Sequence, residues 1–311
     1  MNQPLVVGSA SRDLTPDDPR GWRLGGAATY CGLTLACLGL RPRVLLGVDP
    51  DAARAGELDI LRDAGAELRL VPLATGPVFR NRTTAGGRVQ DCIEPGVPLP
   101  VAVPTAWADA PTWLLVPVAD ELRAGWAAIS PSDAFVAVGW QGLLRNLPRG
   151  GVVTRRAPRA SSLLARARLV GLSREDLDAA TSPAFLAAFL EAPATLVLTD
   201  GANGGSVREL GADGSARTLR YRAVRASRVV DPTGAGDAFL AALVAARLGH
   251  PLAAPRGRVT DLQFAATVAS LSVEGPGLSG VPDLAAIAAR LSRAGHAAQP
   301  AAARTAASDP G

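Results

Sequence analysis

Apolar and polar positions follow two rhythms along the chain. Short apolar or alternating runs at residues 5–8, 43–48 and 67–71 are bounded by Gly, Pro or charged residues and read as strands. Between them, apolar spacing of three and four predicts helices over 27–38 and about 51–64, each closed by a glycine, Gly39 and Gly65. The rhythm resumes with strands at 113–118, 134–138, 168–172 and 195–199, a helix near 119–128, and a strand pair within 207–222. Three helices are expected at the end, over 237–248, 261–272 and 283–291. Strands alternating with helices predict an α/β chain with a mostly parallel sheet under helices. One region breaks the alternation. Residues 79–84 and 88–93 flank Gly86-Gly87 and read as a hairpin within 77–104. After residue 293 the composition turns to Ala, Pro, Gly and Ser, so 294–311 is expected to be a disordered tail.

The strongest chemical signal is Val229-Val230-Asp231-Pro232-Thr233-Gly234-Ala235-Gly236-Asp237-Ala238-Phe239. Two β-branched residues read as the end of a short strand, and the Ala/Leu-rich run from Asp237 reads as a helix. Gly234, Ala235 and Gly236 therefore fall at a helix N-terminus, where the first amides lack intrahelical partners and the dipole favours an anion. Small residues there let a phosphate approach the backbone. A carboxylate at Asp237 would repel that phosphate. It needs another role, either a helix cap or a base that takes a proton from an attacking hydroxyl.

Composition narrows the chemistry. All 32 basic residues are Arg, so no P-loop lysine or Schiff-base lysine exists. Two histidines, His250 and His296, exclude a His-rich metal site. The net charge of +4 is scattered rather than clustered, which argues against nucleic-acid binding. No run reaches the roughly twenty apolar residues that span a membrane, and the N-terminus lacks a signal-peptide pattern. Cys31, Cys37 and Cys92 form no Cys-x-x-Cys pair, in keeping with reduced cysteines and a cytoplasmic location. No Gly-x-Gly-x-x-Gly follows the first strand, which argues against a dinucleotide-dependent oxidoreductase.

The stretch from Asp231 to Phe239 resembles the C-terminal signature of the ribokinase-like (PfkB-type) carbohydrate kinases. That resemblance implies a three-layer α/β/α domain over residues 1–293, with a mostly parallel central sheet and a small β lid at about 13–24 and 77–104. It implies ATP-dependent phosphorylation of a hydroxyl, with the Gly234-Ala235-Gly236 backbone as anion hole and Asp237 as base. The family's N-terminal pattern is matched by Asp13, expected to hold substrate hydroxyls, and by Gly25-Gly26, against which substrate lies. The gap between the first strand and Gly25 is short, so the lid is expected to be reduced.

The same resemblance assigns the remaining sites. Asn81, Arg88 and Gln90 in the hairpin are within reach of substrate or phosphate. Gly25-Gly26-Ala27-Ala28-Thr29-Tyr30 looks like the stretch in inositol-kinase-like relatives, which adds Thr29 and favours a sugar or cyclic polyol over a nucleoside. Thr199, Gly201, Gly204, Thr233 and Gly277 fall in the nucleotide-binding positions. The family's Asn-x-x-Glu, which organises Mg2+, is replaced by Ser173-x-x-Asp176 with Glu175 adjacent, so either carboxylate is a candidate. Asp231 is expected near a monovalent cation such as K+. Homodimers built through the lid are common in the family, an arrangement that a reduced lid weakens. The altered metal motif also keeps a non-catalytic nucleotide- or sugar-binding regulator as an alternative, beside a nucleoside kinase.

Overall fold

The computed structural model describes residues 3–84, 87–253 and 260–297. In chain order the elements begin with β1 (Leu5–Ser9), β2 (Ser11–Leu14), β3 (Trp22–Gly25), α1 (Ala27–Cys37), β4 (Arg43–Val48), α2 (Glu57–Asp63) and β5 (Glu67–Pro72). Next come β6 (Val78–Thr84), β7 (Gly87–Glu94), β8 (Thr112–Leu115), α3 (Gly125–Ile129), β9 (Phe135–Gly139), β10 (Arg145–Asn146), β11 (Gly151–Val152) and β12 (Thr154–Arg155). The chain continues through α4 (Ser162–Arg166), β13 (Leu169–Ser173), α5 (Pro183–Ala187), β14 (Ala194–Thr199), β15 (Gly205–Leu210) and β16 (Ala216–Tyr221). It ends in α6 (Ala235–Arg247), α7 (Asp261–Ser272) and α8 (Leu284–Ala297).

Among the described residues, nine strands form the main sheet in the order β16-β15-β14-β13-β9-β8-β1-β4-β5. The run from β14 to β5 is parallel, and β15 and β16 add an antiparallel edge. Alternation along the central strands splits the core in two. Val6, Leu46 and Leu114 face one core with Leu33 of α1, Leu58 of α2, Leu243 of α6, Phe264 of α7 and Ile287 of α8. Leu5, Val7, Leu45 and Leu115 face the other with Trp126 of α3, Leu163 of α4 and Leu186 of α5. Strands buried on both faces explain the unbroken apolar runs in the sequence. Each such side chain contributes about 1.5–3 kcal/mol by burial. No helix among the described residues is long and apolar enough to cross a membrane.

A second sheet, β11-β7-β6-β2-β3, forms the lid. It is larger than the sequence suggested. The short gap after β1 folds as a complete hairpin, with Ser11 opposite Gly25 and Asp13 opposite Arg23. A third segment, β11, pairs with β7 through Gly151 opposite Cys92. Asp13, Phe79 and Cys92 occupy matched positions across β2, β6 and β7. Phe79 and Cys92 are buried against Val118 at the end of β8, so this lid face is turned to the main sheet.

Other elements differ from expectation for local reasons. The helix expected over 51–64 splits into a 3-10 turn, Ala52–Arg54, which Asp49 Oδ1 starts by accepting the Ala52 amide (2.8 Å), and α2, because Ala55 between them is extended with ψ 128°. The helix expected over 119–128 shrinks to α3, because Asp120 takes a left-handed conformation (φ 58°) that a right-handed helix cannot continue through, and the next side chain, Glu121, turns inward to accept the Ser9, Val118 and Ala119 amides. Val229 and Val230 form no strand; both are exposed, and the Val230 amide donates to Val273 O (2.7 Å) beyond α7. The last helix runs to Ala297, past the expected end at 291 and into the stretch expected to be a disordered tail from 294; the rest of that tail lies outside the described residues.

Candidate active site

The site lies where β1, β8, β9, β13 and β14 end, beneath the lid, at the sheet edge where parallel α/β folds place ligands. Helix α6 supplies its centre. Gly234 is the N-cap, in a left-handed conformation with φ 78°, and its carbonyl accepts the Ala238 amide (2.8 Å). A Cβ at Gly234 would overlap the Tyr30 ring of α1, so Gly is required both by the backbone angle and by the packing. Ala235 closes a turn onto Pro232 O (3.3 Å). Gly236 is exposed, and a Cβ there would meet no atom within 4 Å, so space is open in front of the first helical turn. The first-turn amides and the dipole therefore face an accessible volume that suits an anion.

Asp237, in that first turn, keeps part of its surface open, yet its carboxyl is deep enough for desolvation to dominate its titration. Burial pushes the carboxyl up to about 7 from an ordinary value of 3.8; Arg145 opposes the shift and Asp176 adds to it. Its main chain is fixed from below, where Cys31 Sγ donates to Asp237 O (3.4 Å). Tyr30, buried beside it, has its phenol pushed well above the usual range by burial and then by the fields of Asp13, Asp231 and Asp237. These charge effects place Asp13, Asp237 and Asp231 around one tyrosine, although they are far apart in sequence.

Asp13 projects over Gly25, where a Cβ would run into its carboxylate, and it accepts a hydrogen bond from Ser11 Oγ (3.1 Å). The carboxylate can lie across the lid strands because residue 25 has no side chain. Asn81 and Gln90 share the lid face of Asp13 and bond each other, Gln90 Nε2 to Asn81 Oδ1 (3.0 Å). The Arg88 side chain lies outside the described residues. Thr29 is fully buried and its hydroxyl donates to Gly26 O (2.6 Å). It therefore secures the start of α1 and offers no hydroxyl to substrate, which corrects its expected role.

Of the two candidate metal carboxylates, Glu175 is exposed and Asp176 is buried. Asp176 accepts from Gln141 Nε2 (3.3 Å) and lies 3.7 Å from an Arg145 nitrogen. Burial raises its carboxyl pKa, and Arg145 and then Gln141 oppose this. Asp231 acts as a staple in the structure. Its Oδ1 accepts the Thr233 amide (2.9 Å) and its Oδ2 the Gly277 amide (3.1 Å), tying the loop before α6 to the turn after α7. Among the described residues, no three His, Cys, Asp or Glu side chains gather as a metal cage. Mg2+ at phosphoryl-transfer sites needs only one or two carboxylates beside water and phosphate oxygens. The pair Asp176 and Asp237, in which one carboxylate disfavours ionisation of the other, fits that requirement.

Thr199 ends β14 with its hydroxyl donating to Leu172 O (3.3 Å), and Gly201 and Gly204 shape the following turn, closed by the Asp200 amide on Gly204 O (2.8 Å). Sequence reasoning left four contributors without a role. Tyr30 was visible only as part of a motif. Gln141 and Arg145 lie in a stretch quoted without assignment. Glu121 is buried, and its carboxylate accepts the amides of Ser9 (2.9 Å), Val118 (3.0 Å) and Ala119 (2.8 Å), which staples the ends of β1 and β8 together. Neither burial nor convergence of this kind has a local sequence signature.

Comparison with known proteins agrees with this fold. Residues 154–284 match the family described as pfkB family carbohydrate kinase. No curated protein sequence matches the chain. Among solved structures, Thermotoga maritima ribokinase superposes with a TM-score of 0.67 at 16% identity, covering 94% of this chain and 100% of its own. A nucleoside kinase from Burkholderia thailandensis in complex with inosine gives 0.66 at 19% identity, covering 94% and 98%. A pyrophosphate-dependent kinase of the ribokinase family, complexed with a pyrophosphate analog and myo-inositol, gives 0.65 at 17%, covering 88% and 96%. The chain thus has the ribokinase fold, and its residues 154–284 are similar to the pfkB family carbohydrate kinases.

Proposed function

We propose that the protein transfers the γ-phosphoryl group of ATP to a hydroxyl of a sugar or cyclic polyol, with Asp237 as the general base. The observation that carries this reading is the position of Asp237. Its carboxyl titrates near neutrality in the first turn of α6, beside the open backbone of Gly236 and near Tyr30, whose phenol both Asp13 and Asp237 act on. A base poised near the working pH both accepts a proton readily and is ionised often enough to do so. Asp13 would hold acceptor hydroxyls from the lid, and the acceptor oxygen would face Asp237. The amides at the start of α6 would stabilise the charge spreading over the phosphoryl oxygens. Closure of the lid face that carries Asp13, Asn81 and Gln90 would exclude water from the transfer. Bound Mg2+ would supply charge neutralisation on the phosphates, with Asp176 as its protein partner.

The lid face favours a polyol over a nucleoside. Its aromatic residue, Phe79, is 1% exposed, and Tyr30 is 3% exposed against Gly234, so neither presents a ring on which a base could stack. Asp13, Asn81 and Gln90 offer hydroxyl partners instead. The test is ADP release with ATP and Mg2+ against pentoses, hexoses, inositols and nucleosides. Turnover with a sugar or inositol supports the reading. Turnover with nucleosides alone overturns the acceptor class, and bound ATP with no turnover on any acceptor points to a non-catalytic regulator.

A further inference from the structure

The proposed reaction brings phosphates into a site that already carries Asp13, Asp176 and Asp237, so it needs fixed positive charge. Arg145 meets that need. It follows the 3-10 turn Gln141–Leu144, which leaves the end of β9. That turn is anchored on both sides. The Trp140 amide donates to Gly171 O of β13 (2.9 Å), and Gly142 lies so close to the Pro117 carbonyl that a Cβ would overlap it. The turn therefore projects Gln141 and Arg145 together toward Asp176, where Gln141 Nε2 takes both carboxylate oxygens (3.3 and 3.4 Å). The Arg145 guanidinium sits at ion-pair distance, 3.7 Å, with 16% of its side chain exposed and that of Asp176 9% exposed. Its charge also acts on Asp237 at the start of α6.

Resting on the kinase reading above, we propose that Arg145 is a further catalytic residue, whose guanidinium contacts the phosphoryl group in transfer while Asp176 and Gln141 hold its approach. A guanidinium presents five N–H donors in a planar fork, enough to keep one carboxylate and bind phosphoryl oxygens at once. In the step itself, the acceptor O–H loses its proton to Asp237 and a new oxygen–phosphorus bond forms. The bond between the γ-phosphorus and the bridging oxygen breaks, and its electron pair leaves with ADP. Arg145 makes and breaks no covalent bond; it offsets charge on the three equatorial oxygens, as arginines do in other phosphoryl-transfer sites.

The alternative is that Arg145 only favours the ionised form of Asp237, against burial and the opposing charge of Asp176; Tyr30, Cys31, Asp13 and Asp231 are the other titratable groups around it. Kinetics of Arg145→Gln and Arg145→Lys on the full chain, at pH 7 and pH 9.5, separate the two. Raising the pH to 9.5 favours ionised Asp237 in every variant, so a purely electrostatic helper should matter much less there. The expected result for Arg145→Gln is a kcat loss on the order of 10³ that persists at pH 9.5. ADP affinity should stay near wild type, and Arg145→Lys should recover part of the loss. Recovery of Arg145→Gln to within a few-fold of wild type at pH 9.5 would overturn the proposal and leave the kinase reading intact. A wild-type protein that turns over no acceptor would overturn both.

Discussion

Replacing Asp237 by Asn should stabilise the protein, and by an amount that depends on pH. The folded carboxyl titrates near 7 against an ordinary 3.8, a difference of about three units. At roughly 1.36 kcal/mol per unit, ionised Asp237 costs the folded state at most about 4 kcal/mol. The sign follows from the raised value. Well below pH 3.8 the carboxyl is protonated in both folded and unfolded chains and costs nothing. As pH rises from 4 to 7, the unfolded chain releases the proton and the folded chain retains it, so wild-type stability falls. Above pH 7 the full cost is present. Asn cannot ionise and escapes it. Thermal unfolding of wild type and Asp237→Asn in metal-free buffer, from pH 4.5 to 8.5, reads this directly. The two melting temperatures should nearly coincide at pH 4.5. By pH 8 they should separate, with the variant higher by roughly 5–10 °C. Parallel curves, or a variant less stable at pH 8, would refute the argument that Asp237 is held where its charged form is disfavoured.

Three further changes test other parts of the site. Gly236→Ala puts a methyl into the open space before α6; it should leave stability unchanged or raise it by up to about 1 kcal/mol through helix propensity, yet lose phosphoryl transfer because the anion can no longer approach. Gly234→Ala, one turn position earlier, should instead lower the melting temperature, since the left-handed angle and the Tyr30 ring both oppose a Cβ, at a cost of about 1–3 kcal/mol or more. Asp13→Asn should raise the KM for the acceptor about 10- to 100-fold, the loss of a charged hydrogen bond, with the KM for ATP little changed.

The parts of the fold set by local pattern were legible before any coordinates. Helix α7 was read to its last residue because Thr260 caps it, accepting the Gln263 amide (3.1 Å), and its apolar spacing is helical. The turn at the start of α6 was legible because small residues before an Ala/Leu run leave few alternatives. The failures share a cause: a distant partner decided the local conformation. Val229 and Val230 have strong β propensity, but their segment runs out past the edge strand and bonds to Val273. The helix expected over 119–128 lost its first turns where Asp120 goes left-handed, φ 58°, and Glu121 turns inward to bind the Ser9 and Val118 amides. β11 is two residues long, too short for any periodicity to register. Arg145, Gln141 and Asp176 meet only because the turn after β9 packs beside the end of β13, and a sequence holds no distance between residues 145 and 176.

The account turns on Asp237, and the direct measurement is kcat of Asp237→Asn with the best acceptor, beside wild type, under saturating ATP and Mg2+. Removal of a positioned base from a site whose binding surfaces stay intact should lower kcat by roughly 10²–10⁴, with ATP still bound. Turnover by Asp237→Asn within a few-fold of wild type would contradict the account, because the proton of the acceptor hydroxyl would then have to leave by another route.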